Sequence, residues 1–112
     1  MTPAQPVWRA AVEKDDLLEA IGFVRTRAGL RVKGIKLEPD VVILSCAGGL
    51  SFRTAQLACD IPASGSWASP IRANGAMLRR LAPKLAGPRI ELDYAAGSLR
   101  LNTTTVPARE VG

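Results

Sequence analysis

The chain contains no histidine, and aromatic residues make up only 4% of its 112 positions. The first absence removes the commonest general base near neutral pH and the commonest metal ligand. Nothing else takes their place. Asp15-Asp16 reads as a helix start rather than a carboxylate dyad, and Gly48-Gly49 and Gly65 lack P-loop or dinucleotide spacing. The expectation is a protein that is not an enzyme and holds no metal or cofactor. The second absence leaves Trp8 and Trp67 too few and too far apart for a stacking platform on single strands, although either is suited to anchor a partner surface.

No stretch approaches the roughly 18 consecutive apolar residues of a membrane span. The opening Met1-Thr2-Pro3-Ala4-Gln5-Pro6 lacks the basic and apolar regions of a signal peptide. These features set the expectation of a soluble cytoplasmic protein without a membrane partner. Two cysteines are present, Cys46 and Cys59. Pairing about a Gly48-Gly49 turn sets Cys46 opposite roughly Ser51, and Cys59 then lies too far along its strand for a disulfide. Both read as small buried hydrophobes in a reducing compartment.

What is present suits one domain: 112 residues, of which 47% are hydrophobic, give enough apolar side chain for a single core. The net charge of +5 is uneven. Residues 1–60 hold eight Lys or Arg against seven Asp or Glu, and residues 61–112 hold seven against three. The basic second half suits a phosphate backbone and equally suits solubility.

The pattern predicts a short strand at Val7 to Val12, then a helix in which Asp16 and Glu19 have capping-box spacing and Leu17, Leu18, Ile21 and Val24 share a face. Arg25 to Gly29 leads out of it. From Val32 the period changes to two, with Ile35 and Leu37 against Lys36 and Glu38. Glu38-Pro39-Asp40 turns the chain into a buried run, Val41 to Leu44. After Ala47-Gly48-Gly49 comes a longer strand, Leu50 to about Ile61, whose parity slip predicts a bulge near Arg53-Thr54.

Pro62 to Ser66 is turn-rich and divides the chain, after which the order repeats. A strand at Ser69 to Arg72 precedes a helix with Asn74 as N-cap and Met77, Leu78, Leu81 and Leu85 on its apolar face, limited by Pro83. Ile90, Leu92 and Tyr94 alternate with Glu91 and Asp93; Ala95-Ala96-Gly97 turns the chain; Leu99, Leu101 and Thr103 alternate with Arg100 and Asn102. A last segment holds Val106 and Pro107, the proline fitting an edge strand. Residues 1–112 thus read as one α+β domain with a duplicated β-α-β-β-β unit, about 7–61 and 67–110. Its two helices share one face of an antiparallel sheet.

This arrangement resembles one domain of the bacterial DNA polymerase III beta clamp and its relatives. The resemblance lies in Leu17-Leu18-Glu19-Ala20-Ile21-Gly22-Phe23-Val24, in Gly34-Ile35-Lys36-Leu37-Glu38, in Ser69-Pro70-Ile71-Arg72-Ala73, and in Leu78-Arg79-Arg80-Leu81-Ala82-Pro83-Lys84-Leu85. The closing hairpin, Ile90 to Tyr94 with Leu99-Arg100-Leu101, is similar as well. The resemblance implies the DNA-clamp fold, helices that face DNA and sheets that carry subunit contacts. It implies a homo-oligomer, since a closed ring needs about six copies of one domain where the family's chains carry three.

The candidate DNA-binding cations are Arg79, Arg80 and Lys84 on or just after the second helix, followed by Arg72 and Arg25. Such groups neutralise phosphates without reading bases. The competing account is a solvated helix face, and it draws support from Asp15, Asp16 and Glu19 on the first helix, acids that also stabilise a helix N-terminus. Two readings follow. One is a sliding-clamp-like accessory protein of DNA replication that binds duplex DNA without sequence specificity. The other is a protein-interaction or scaffold module of the same fold that does not bind DNA. A small-molecule binder comes third, for want of a polar cluster in an apolar pocket.

Overall fold

Strand β1 (Trp8–Glu13) runs directly into helix α1 (Lys14–Ala28). A computed structural model describes residues 7–28, 30–32, 35–37, 40–54 and 57–111, with side chains described for 7–23, 40–54 and 57–111. The first turn of α1 does not use the expected capping box. The helix already begins at Lys14, whose N–H donates to the Pro88 carbonyl at 2.7 Å, and Asp16 lies inside it. A backbone carbonyl satisfies the end, and Asp15 and Asp16 complement its positive pole. The helix also continues through Arg25 to Ala28 where an exit was expected; Gly29 lies outside the described residues.

The expected strand from Val32 is two short ones, β2 (Leu30–Val32) and β3 (Ile35–Leu37), paired antiparallel apart from the main sheet. Glu38 and Pro39 of the predicted turn lie outside the described residues. Next come β4 (Val41–Cys46), β5 (Gly49–Arg53), β6 (Ala58–Pro62), β7 (Ser64–Trp67) and β8 (Ile71–Ala73). Helix α2 (Gly75–Leu81) follows and passes into a 3-10 turn at Ala82–Lys84 that accommodates Pro83. The chain ends in β9 (Arg89–Ala95), β10 (Ser98–Leu101) and β11 (Thr104–Glu110).

Several strand expectations are corrected. Val41 to Leu44 alternates, with Val41 and Ile43 buried and Val42 and Leu44 half-buried, because β4 turns only one face to the core. The long strand Leu50 to Ile61 is a hairpin, β5 against β6, with Phe52 opposite Cys59 and the Thr54 N–H donating to the Leu57 carbonyl. The parity slip near Arg53-Thr54 marks a chain reversal, not a bulge; a single strand of that length would span about 40 Å. Cys46 pairs with Gly49 instead of Ser51, and both thiols are free and half-buried. Within the turn-rich stretch Pro62 to Ser66, β7 forms and pairs with β1. Thr103 belongs to the turn between β10 and β11, where Asn102 has φ 57.

The nine main strands follow the order β6-β5-β4-β8-β11-β10-β9-β1-β7, and every pairing is antiparallel. Strands β6 and β7 stand at opposite ends of this order, yet only Ala63 separates them in sequence, so the ladder curls until its ends meet. Pro107 lies in the first half of β11, which pairs with β10 alone and so forms a local edge. β11 sits between β8 and β10, pairing with β10 through Thr104 to Pro107 and with β8 through Ala108 to Glu110. The proline falls where the strand changes partner, a place that needs no ladder donor.

Both helices cover the inner face of this sheet and pack on each other. Leu17, Ala20 and Ile21 of α1 and Leu78 of α2 meet Phe52, Ile43, Ile71, Ile90, Leu92 and Leu99 in one core. Leu18, Met77 and Leu81 pack against its margin and are half-buried; the Val24 side chain lies outside the described residues. The two tryptophans are structural. Trp67 is buried and donates its indole N–H to the Ile43 carbonyl at 2.9 Å, while Trp8 donates to Ser69 and meets Tyr94 edge-on.

Candidate nucleic-acid interface

Helix α2 is held at both ends. The Asn74 side chain accepts from the Met77 N–H at 2.9 Å, and the Ala82 N–H returns to the Leu78 carbonyl. Leu78 and Ala82 face the core, which leaves Arg80 exposed and Arg79 half-buried. Lys84 projects into solvent from the 3-10 turn. Arg79, Arg80 and Lys84 thus lie within six successive residues of one short helical segment. Lys14 of α1 ties this segment to its neighbour, its Nζ donating to the Leu85 carbonyl at 2.6 Å.

The other two predicted cations stand elsewhere. Arg25 is carried by the backbone of α1 in its second half, and its side chain lies outside the described residues. Arg72 is the middle residue of β8, between the buried Ile71 and Ala73, so the pleat sends its side chain to the sheet face away from the helices. It does not join Arg79, Arg80 and Lys84. Among the described side chains of α1 the exposed charged groups are acidic: Asp15 and Glu19 are exposed and Asp16 is half-buried. The described part of α1 thus presents acids, whereas the end of α2 presents cations.

The outer face of the sheet carries arginines that the helix-centred reading overlooked: Arg9, Arg53, Arg100 and Arg109. Strand parity could have placed them on that face, but only the register brings them into rows. Arg100 forms an ion pair with Asp93, Nη2 to Oδ2 at 2.6 Å, in a shallow dish of about 480 Å³ lined also by Val7, Arg9 and Thr105. On the inner side, Cys59 faces α1. Burial, then the charges of Glu19 and Asp60, push its thiol above the ordinary value. Among the described residues no group of three or more His, Cys, Asp or Glu side chains could hold a metal ion. No helix among them is long and apolar enough to cross a membrane.

The fold is that of sliding-clamp domains. The chain is similar to the DnaN sliding clamp (DNA polymerase III subunit beta) of Pseudomonas aeruginosa, solved bound to griselimycin. The TM-score is 0.72 at 13% identity, over 95% of this chain and 31% of that one. It is similar also to DNA polymerase III subunit beta of Borrelia burgdorferi, solved with a natural product, with a TM-score of 0.65 at 12% identity over 99% and 32% of the two chains. The chain thus spans about a third of the length of these clamps. No family model matches the sequence, and no curated protein does. The α+β reading, with two helices on one face of an antiparallel sheet, holds.

Proposed function

We propose that the chain is a non-catalytic, sliding-clamp-like accessory protein of DNA replication in the cytoplasm, a single domain whose repeated halves span about 7–61 and 67–110. In this reading it meets duplex DNA without sequence specificity, as a homo-oligomer. The observation that carries the proposal is the clamp fold with three cations, Arg79, Arg80 and Lys84, gathered on α2 of its helical layer. Guanidinium and ammonium groups on a helix attract phosphates in any sequence, which suits sliding. Arg25, on the neighbouring helix, is a further candidate, whereas the placement of Arg72 argues against its taking part on this side.

Self-association draws support from the sheet. The β6 side facing away from β5, and the first half of β11 on the side facing away from β10, have no strand partner among the described residues. Two open half-edges on one molecule can pair head to tail with those of further copies. Because one protomer offers few cations to the phosphates and α1 opens with acids, useful affinity requires several protomers along or around the duplex.

The test is a titration with long duplex DNA at rising salt, together with light scattering with and without DNA. Binding is expected at low salt. Replacing Arg79, Arg80 and Lys84 together by Ala should flatten the salt dependence, by roughly 0.9 in the log–log slope for each phosphate that is no longer neutralised. Binding unchanged by the triple substitution would refute the assigned surface. A monomeric mass at high micromolar concentration with no binding at low salt would favour the second reading, a scaffold module, to which the acids of α1 lend weight.

A further inference from the structure

The two halves of the sheet supply a comparison within one molecule. Just before β1, the Val7 carbonyl accepts from the Ala68 N–H; just before β8, the Pro70 carbonyl accepts from the Val111 N–H in the same way, both at 3.0 Å. Carried from these bonds through the ladder, the correspondence sets β1 against β8, β9 against β4, β10 against β5, and β11 against β6, with β7 against the end of β11.

On this correspondence two cross-strand rows of the outer face coincide. The first runs Ser66, Arg9, Asp93, Arg100, Thr105. The second runs Arg109, Arg72, Val42, Arg53, Ala58. Arg9 corresponds to Arg72 and Arg100 to Arg53. In each row two arginines flank a central residue on the strand between them, about 10 Å apart across two strand spacings. In the first row the centre is Asp93, which pairs with Arg100. In the second the centre is Val42, half-buried, and the row gains Arg109 directly opposite Arg72.

Like charges directly opposite on adjacent strands destabilise a sheet. Among the described interactions Arg72 and Arg109 have no ion pair, and Arg53 reaches only the Ser51 hydroxyl, Nε to Oγ at 2.9 Å. Asp60 and Asp40 stand two positions off the row along their own stretches of chain, and neither pairs with these arginines. The row is thus an Arg-X-Arg arrangement whose internal carboxylate is missing. Beside it Leu44, two residues beyond Val42 on the same face, extends the apolar floor.

We propose that the row Arg109-Arg72-Val42-Arg53 docks an acidic, extended segment of a partner protein, one carboxylate of which settles over Val42 between Arg72 and Arg53, as Asp93 does in the other half. The side chain two residues further along that segment, which an extended chain turns to the same face, is apolar and rests on Leu44. A protein segment fits better than a nucleic acid. No aromatic side chain projects from this part of the outer face to stack a base, and the apolar floor of Val42 and Leu44 seats an apolar side chain that a phosphate backbone does not offer. The inference is independent of DNA binding by α2, which lies on the opposite side.

The experiment uses the full chain labelled with ¹⁵N and an acetylated, amidated Glu-Ser-Leu-Ser-Glu peptide, whose Glu and Leu side chains share one face when extended, with the counterpart carrying glutamine for glutamate as control. The acidic peptide is expected to shift the amides of Val42, Leu44, Arg53, Arg72 and Arg109, and the glutamine peptide to leave them in place. V42D supplies the missing carboxylate from within. It should weaken the peptide about fivefold, the scale of one exposed charge pair, with the amides away from the row unchanged, which separates the effect from unfolding. R53Q with R72Q, which keep long polar side chains on the outer face, should abolish the shifts while the amides of the core stay in place. The reverse change D93V should add shifts at Arg9 and Arg100. Shifts scattered away from the row, a V42D affinity equal to the parent's, or displacement of the peptide by a single-stranded oligonucleotide would each overturn the proposal, the last in favour of a nucleic-acid surface.

Discussion

The first half of the chain carries a 15-residue helix with Asp15 and Asp16 in its first turn, and the second a seven-residue helix ending in Arg79 and Arg80. Acids mark the start of one helix and cations the end of the other, each where the helix dipole favours them. The contrast extends to the sheet corner. In the first half the closing strand breaks into β6 and β7 around Ala63, whereas in the second β11 runs unbroken through Pro107. The same curled ladder is reached by two local routes, so the pairing pattern is what the fold demands and the residues at each corner are specific solutions. The helices differ for the same reason: the core constrains Leu17, Ala20 and Ile21 of α1 and Gly75 and Leu78 of α2, and the solvent side of each helix is free to differ.

The sharpest way to break this comparison is at the corner. Gly65 has φ +108, and a Cβ there would overlap the Arg9 carbonyl oxygen and come within 2.9 Å of the Ala10 Cα, both of them backbone that cannot move alone. The corresponding residue of β11 is Ala108. Gly65→Ala should therefore cost about 3 kcal/mol or more, measured by urea unfolding. Gly97→Ala, in the open turn between β9 and β10 where φ is +81 and the nearest atom to a Cβ is 3.8 Å away, should cost only about 1 kcal/mol. Equal losses at the two sites would mean that the close approach of β7 to β1 does not constrain the corner.

A smaller effect separates the two helix starts. With so few residues, α2 depends on the Asn74 cap, and Asn74→Ala should lower stability by about 1 kcal/mol. Asp16→Ala in α1 should cost a few tenths, since the Pro88 carbonyl receives the first helical N–H there and Asp16 acts only on the dipole. Thermal melts of the two variants side by side check this. A larger loss at Asp16 would restore the capping role that its spacing suggested.

Much of the fold was legible because it is local. The apolar spacing of α1, the Asn74 cap and the alternation of β9 and β10 are each written within a dozen residues. What was not legible depends on distant chain. Nothing in Ser64-Gly65-Ser66-Trp67 marks a strand, since small side chains carry no parity; β7 exists because β1 offers it a partner. A parity slip looks the same for a bulge and for a reversal, and the length a sheet tolerates decides between them. The candidate site divides likewise. Arg79, Arg80 and Lys84 were found because they share a helical segment, Arg72 was grouped with them by nearness in sequence, and the outer rows follow only from a register linking β11, β8, β4 and β5.

The smallest difference lies at Cys59, whose counterpart across the halves is Val106. Val106 is 1% exposed, whereas Cys59 is half-buried beneath α1. Burial, then the charges of Glu19 and Asp60, raise the Cys59 thiol above its ordinary value, so the folded protein holds this proton more tightly than the unfolded chain does. As pH rises past the ordinary thiol value the unfolded chain ionises first. Any stability that this group contributes is therefore complete below that value and is lost as pH rises towards the raised one. Reactivity follows the same sign, because the thiolate is the nucleophile. Carbamidomethylation of Cys59 by iodoacetamide, followed by peptide mass spectrometry, should reach half its limiting rate at a higher pH than in the unfolded chain. Glu19→Gln removes one of the repelling charges and should move that midpoint back towards the ordinary value. Cys59→Val, which copies the other half, should change stability by less than about 1.5 kcal/mol. An unmoved midpoint in the Glu19 variant would leave burial and Asp60 as the causes and remove the charge of α1 from the account.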